Sequence, residues 1–406
     1  MRRRILFVVE NITLAQVVRL RVLAAGLDPQ RYEVHFASSE FDPLLFDDTH
    51  FTHWPLGTIE RQAALTALAK GERLYELRTL ERYVEEELRL FDAVKPAIVI
   101  GDFRLSLAVS APFAKLPCAS LINAYWSPYA VRDSFPVPDH PIVRLVGVER
   151  AARYFPQAMP RVFAHFAAPL NTLRRRFGLA EFESLLHALC FGDLVLYPDL
   201  PELCPVKDAP PNHHYLGGVQ WAPSLPAPDL TSSNELPLVY VTLGSSGDLA
   251  ALPAVLAGLA GLPLRALLST AGRQRPESLP PNMTVAPLLP GDVLARHARF
   301  VITNGGSSTG YQALAAGTPV LGIPANLDQY LAMTAIAKSG AGILLRSGGL
   351  RPEQVRAAAI RLLDSKVAAT SASALARAFA GFDCHTRFEA ALSSLLGEPS
   401  ATELAS

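Results

Sequence analysis

Two small-residue loops hold the residues best suited to chemistry. The first begins as TNGGSSTG at Thr303, directly behind the apolar run Arg299 to Ile302. This is the pattern of a strand that ends in a glycine pair and opens into a helix. Ser307, Ser308 and Thr309 are small hydroxyl residues suited to capping that helix. A helix start presents free N–H groups and the positive end of the dipole, and Gly305 and Gly306 have no side chain to keep a phosphate off the backbone. In the second loop, the strand Leu238 to Leu243 empties into Gly244-Ser245-Ser246-Gly247. That loop suits a diphosphate and equally an ordinary strand-to-helix turn. Asp102, at the end of the strand Ala97 to Gly101, is a carboxylate that either handles a substrate proton or caps a helix beginning near Leu105.

Other chemistries lack their residues. The ten histidines form no HExxH and no Cys/His cluster, so no metal is expected, and neither GxSxG nor GxxxxGK[ST] occurs. Cys118, Cys190, Cys204 and Cys384 are too scattered for a disulfide framework and read as reduced thiols of a cytoplasmic protein. The 37 basic and 37 acidic side chains give a formal charge of zero, which argues against a nucleic-acid binder. MRRRILFVVEN is cut short of a secretory signal by Glu10 and Asn11, and no apolar run is long enough to span a membrane.

The elements that must position these loops alternate between strand and helix. Ile5 to Val9 reads as a buried strand, Leu14 to Ala25 as a helix, and Tyr32 to Ala37 as a second strand. A long amphipathic helix over Ala63 to Phe91 and further strands at Ala97 to Gly101, Cys118 to Ile122 and Leu194 to Tyr197 follow. A second series runs through Leu238 to Leu243, Leu264 to Ser269, Phe300 to Thr303, Val320 to Ile323 and Ile343 to Leu345. Such alternation implies an α/β fold with parallel sheets covered by helices. The 406 residues exceed one core. We expect an N-terminal domain over 1–222, a Pro- and Ser-rich linker over 223–237, a C-terminal domain over 238–371, and a helical segment over 372–406 packing back on the N-terminal domain.

Read in order, NGGSST, QAL, AAGTPVLGIP and DQ between Asn304 and Gln329 resemble the donor signature of the family 1 glycosyltransferases. The resemblance implies a GT-B fold of two facing Rossmann-like domains. It also implies an inverting, metal-independent hexosyltransferase that needs no cofactor beyond a UDP- or dTDP-sugar as co-substrate. Residue by residue, it puts Asn304 where the family has a phosphate-contacting His, with Gly305, Gly306, Ser307, Ser308 and Thr309 beside the phosphates. Gln312 falls at the ribose position, and Asp328 and Gln329 at the pair that bonds the sugar. Gly244, Ser245 and Ser246 would meet the leaving phosphate. In LLPGDVL, Leu288 stands at the position of a base-stacking Trp, so Leu289 and its neighbours would hold the base by apolar contact and backbone hydrogen bonds.

The acceptor half departs further from the family. Its usual catalytic His is replaced by Gln16, an amide without useful basicity, while Asp102 resembles the acid that orients that His. Three readings stay open: an acceptor acidic enough to need little help, a different base among Asp102, Glu10 and His53, or a protein that binds nucleotide sugar without turnover. An epimerase on the same scaffold is a further alternative. Glu10, Tyr125, Trp126, Tyr129 and Phe135 suit a pocket for a small aromatic or apolar acceptor. The stretch that follows, with Arg150, Arg153, Arg161 and Arg174 to Arg176 among phenylalanines, reads either as a solvated helix face packed on a core or as a peripheral membrane contact.

Overall fold

The computed structural model describes residues 2–226, 228 and 236–397. Most of the linker expected over 223–237, and the end of the C-terminal segment, lie outside the described residues. The chain forms two compact units. One comprises the chain up to Asp133, Pro156–Val219 and the part from Phe382 onward; the other comprises Ser134–Phe155 and Gln220–Gly381.

The first unit is built on seven parallel strands: β1 (Arg3–Val9), β2 (Tyr32–Ser38), β3 (Thr52–Pro55), β4 (Ile98–Asp102), β5 (Cys118–Leu121), β6 (Leu194–Tyr197) and β7 (His213–Tyr215), in the order β3-β2-β1-β4-β5-β6-β7. The order turns around between β1 and β4, where Val9 stands opposite Asp102. The second unit repeats the plan with β8 (Leu238–Thr242), β9 (Arg265–Ser269), β10 (Met283–Ala286), β11 (Phe300–Thr303), β12 (Val320–Gly322) and β13 (Gly342–Leu344), ordered β10-β9-β8-β11-β12-β13. Here the turnaround falls between β8 and β11, with Thr242 opposite Thr303. In such open sheets, ligands bind beyond the carboxyl ends of the strands at the turnaround.

The strands that read as continuous apolar runs are central and wholly buried. Ile5 to Val9, Ile98 to Ile100 and Phe300 to Ile302 have no measurable exposure, as expected where helices cover both faces of a parallel sheet. The three strands missed by the sequence reading, β3, β7 and β10, lie at sheet edges or the end of the order and are partly exposed.

Two helix expectations need correction. Ala63 to Phe91 is not one helix but two, Arg61–Lys70 and Leu77–Val94, separated after Gly71. The C-terminal segment is likewise two, Lys366–Ala380 and Cys384–Leu396, the second capped by the Asp383 carboxylate on the N–H groups of His385 and Thr386. Only the second of these belongs to the first unit, where Phe388 packs on Phe7 at 6.2 Å and Glu389 pairs with Arg31 at 2.7 Å.

Residues 134–155, read from sequence as part of the N-terminal domain, belong instead to the second unit. Asp139 explains the attachment. Its carboxylate accepts from Tyr330 Oη at 3.1 Å, Ser347 Oγ at 3.0 Å, the Gly348 N–H at 2.9 Å and the Arg346 guanidinium, which also reaches the carbonyl of Val137 at 2.8 Å.

Candidate functional site

The two small-residue loops follow neighbouring strands of the second unit and touch. Asn304, 7% exposed, donates from Nδ2 to Ser246 Oγ at 3.3 Å, and its Oδ1 accepts the Gly306 N–H at 3.1 Å. Thr303 Oγ1 accepts the Gly305 N–H at 2.7 Å, and Gly305 has φ +79, a conformation natural to glycine. These two side-chain turns set the start of the helix Ser307–Ala315. Its cap is Gly306, with no side-chain hydrogen bond. The expectation that Ser307, Ser308 and Thr309 cap this helix is therefore corrected: they occupy its first turn, Ser307 buried, Thr309 half-buried and Ser308 exposed. A helix start whose N–H groups receive no side-chain cap keeps donors available for an anion.

The first loop is held just as closely. A Cβ on Gly247 would stand 2.1 Å from the Leu243 carbonyl oxygen and 3.0 Å from Asn304 Cβ, so only glycine allows this approach. Arg273, after β9, donates to the carbonyls of Gly247 at 2.7 Å and Gly244 at 3.3 Å and so brings a cation to the loop. Arg273 was missed because nothing in TAGRQRP marks it; only the neighbouring position of β8 and β9 does. Beside it, Leu243, Gly244, Leu268, Ser269 and Thr270 line a shallow, solvent-open hollow. Ser245 and Ser246 are half-buried.

Other expected donor residues are placed unequally. Gln329 is 2% exposed; its Oε1 accepts the Ala325 N–H at 3.0 Å and its Nε2 donates to the Ser246 carbonyl at 3.3 Å. It joins the start of the helix Leu327–Lys338 to the first loop. Asp328 stays partly exposed. Gln312 Nε2 donates to the Trp221 carbonyl at 3.2 Å. Leu288 is 41% exposed and Leu289 half-buried.

In the first unit, the polar residues at the ends of β1, β4, β5 and β6 are largely engaged with one another. Gln16, 7% exposed, closes a capping box: its Oε1 accepts the N–H groups of Ile12 at 3.0 Å and Thr13 at 2.9 Å. Its oxygen therefore serves the helix Leu14–Ala25, not a substrate. Asp102 does not cap a helix either. It ends β4 with no exposure, and its two oxygens accept from Arg19 Nε at 3.0 Å and Nη2 at 2.9 Å. The carboxylate thus holds Arg19 by a two-pronged pair, with one hydrogen bond to each oxygen. Arg19 continues to Asn123 Oδ1 at 2.6 Å, and Asn123 to Asp199 at 2.9 Å.

Glu10, expected to line an acceptor pocket, is fully buried. It accepts from Tyr83 Oη at 2.8 Å, the Ile59 N–H at 3.1 Å and Arg104 at 3.3 Å, while Arg104 also binds Glu87 at 2.7 Å. Burial raises the Glu10 pKa despite Arg104. Arg19 and Arg104 escaped the sequence reading because a lone arginine carries no motif; their roles come from strand order.

Of the expected acceptor aromatics, Tyr125 is 5% exposed, while Trp126 and Tyr129 are half-buried, Trp126 against Phe163 and Tyr129 against His213. Phe135 belongs to the second unit, so the four do not gather in one unit. His53 stacks on Phe41 at 4.3 Å, and burial lowers its pKa.

Two parallel sheets of this order, with a small-residue cradle at the turnaround of the second, are the architecture of the GT-B class. Residues 255–392 match the C-terminal domain of the erythromycin biosynthesis protein CIII-like family. The chain is 44% identical over 391 residues to a PGL/p-HBAD biosynthesis glycosyltransferase of Mycobacterium tuberculosis, covering 95% of this chain and 91% of the relative. It is also 44% identical over 381 residues to a PGL/p-HBAD biosynthesis rhamnosyltransferase of Mycobacterium bovis, covering 93% and 84%. The solved structure of the spinosyn rhamnosyltransferase SpnG complexed with thymidine diphosphate superposes with a TM-score of 0.70 at 20% identity, covering 97% of this chain and 99% of the other. The chain belongs to the family 1 glycosyltransferases, alongside the mycobacterial PGL/p-HBAD enzymes.

Proposed function

We propose that this glycosyltransferase moves a deoxyhexose, of which rhamnose is the type, from a thymidine or uridine diphosphate carrier to an acidic hydroxyl of a small aromatic or apolar acceptor. The observation that carries the reading is the cradle between Gly244–Gly247 and Asn304–Thr309, whose free helix-start N–H groups and nearby Arg273 suit a diphosphate. The names of the related rhamnosyltransferases, and the thymidine diphosphate bound by SpnG, support the thymidine form and the sugar.

In this reading the acceptor oxygen attacks the anomeric carbon from the face opposite the diphosphate. The bond to the leaving phosphate breaks, and its electron pair passes to the diphosphate, inverting the centre. Ser308 and Thr309 join the backbone amides in holding the departing charge, a preorganised electrostatic contribution. Asp328 contacts the sugar, Gln312 the ribose, and Leu288 and Leu289 the base. No divalent cation enters, so a chelator should leave the rate unchanged.

Gln16 and Asp102 are both held in internal bonds, which supports an acceptor that arrives nearly ionised, a phenol or a carboxylic acid. Calorimetry with thymidine and uridine diphosphates, followed by release of the diphosphate from their sugars in a series of phenols of graded acidity, tests this. The expectation is binding of at least one nucleotide and a rate that rises with phenol acidity. Absence of affinity for either nucleotide overturns the reading.

A further inference from the structure

Exposed large hydrophobic side chains on the described surface are mostly single, as at Phe113, Val131 and Val367, and single ones are ordinary. One stretch differs. Ile142 (60% exposed), Leu145 (87%), Val146, Val148 and Tyr154 (61%) fall within thirteen residues of the second unit. They surround the turn at Gly147, where the helix Pro141–Val146 gives way to the helix Val148–Arg176. A cluster of this kind marks an interaction surface.

Its charge indicates what it meets. From His140 to Phe155 the sequence carries Arg144, Arg150 and Arg153 against Glu149 alone, in a chain whose formal charge is zero. Arg150 and Arg153 are exposed, and the Arg153 guanidinium lies 5.8 Å from the centre of the Tyr154 ring. The other end of the same long helix is a contrast. Arg174 binds the Ala180 carbonyl at 2.6 Å, Arg175 binds Glu181 at 2.8 Å and Arg176 pairs with Glu81, while Met159, Phe163, Leu170 and Leu173 are buried. That end is the packed helix face that the composition also allowed. Arg150 and Arg153, near the Gly147 end, are left in water near aliphatic side chains that no core covers.

We propose that this turn is a docking surface for an anionic lipid bilayer. Leu145 and Ile142 enter the acyl boundary, and Arg150 and Arg153 lie at headgroup level with Tyr154 between. Aliphatic insertion joined to arginine attraction is how peripheral proteins hold such surfaces.

The test is flotation of the full chain with phosphatidylglycerol-containing vesicles and with phosphatidylcholine vesicles. Expected are binding to the first only, weakening as salt rises, and loss of about tenfold or more in affinity for Ile142→Glu with Leu145→Glu. Val367→Glu, exposed on another helix, should bind as the wild type does, and Leu145→Trp should shift its fluorescence to the blue on binding. The glutamate variant should glycosylate a water-soluble phenol at the wild-type rate, so failure here is separable from failure of the proposed reaction. No flotation with anionic vesicles, or binding that survives both glutamates, overturns the proposal. So does lipid-free self-association that the same glutamates abolish, which would assign the surface to a second copy.

Discussion

Gly247 lies where the two loops of the nucleotide cradle come closest. A methyl group there meets the Leu243 carbonyl at 2.1 Å, so Gly247→Ala must push the loop away from Asn304. The expected result is a loss of about tenfold in thymidine diphosphate affinity, equivalent to about 1.4 kcal/mol, read by calorimetry. Asp102 offers a sharper test. If it took the acceptor proton, Asp102→Asn would slow a single turnover by about 100- to 10,000-fold. If its role is to hold Arg19, the expected loss is under about tenfold, with an unchanged pH profile, while stability falls by about 3–5 kcal/mol as Arg19 is left buried without its anion. Single-turnover rates and urea unfolding of the same variant separate these outcomes. The NGGSST and DQ residues were legible because their types and spacing are local. Which of their atoms stay free was not: Gln329 sits at the expected place, yet its amide is used by Ala325 and Ser246.

Elements show the same division. β1, β4, β8 and β11 could be read from uninterrupted apolar sequence because both their faces are covered. β3, His213–Tyr215 and Met283–Ala286 could not, since an exposed edge imposes no apolar run. The packing of the helix Leu77–Val94 against the ends of β1 and β4, which brings Glu10, Glu87 and Arg104 together, has no signature in any one segment. Arg104→Met should therefore cost about 3–5 kcal/mol at pH 7. Burial already raises the folded pKa of Glu10, and without Arg104 nothing of opposite charge opposes that rise, so stability is retained at low pH and lost as pH rises through the folded value. The variant should be relatively firmer at pH 5 than at pH 7 by denaturant titration. His213 acts in the opposite direction. Burial lowers its pKa to about 4, so its contribution is complete above about 6.5 and declines as pH falls towards 4. His213→Phe should flatten that acid limb of the unfolding curve.

For the whole molecule, each unit has its own sheet and core, and only the second carries the cradle. Thymidine diphosphate at a hundred times its dissociation constant should stabilise that unit by about 2.7 kcal/mol. Hydrogen exchange should slow in β8 and β11 and stay unchanged in β1 and β4. A division of the chain near residue 222 was legible from composition. The transfer of residues 134–155 to the second unit was not, since it depends on Asp139 meeting Tyr330, Arg346 and Ser347 across a long interval of sequence.

The helix Cys384–Leu396 follows every strand of both sheets in chain order, yet it completes the unit that contains β1, laying Phe388 on Phe7 and Glu389 beside Arg31. The sheet of the first unit thus waits for its final covering until the strands of the second have been made. A stop codon after Gly381 would spare every strand of both sheets and still leave Phe7, Tyr32 and the first helix exposed to chaperones.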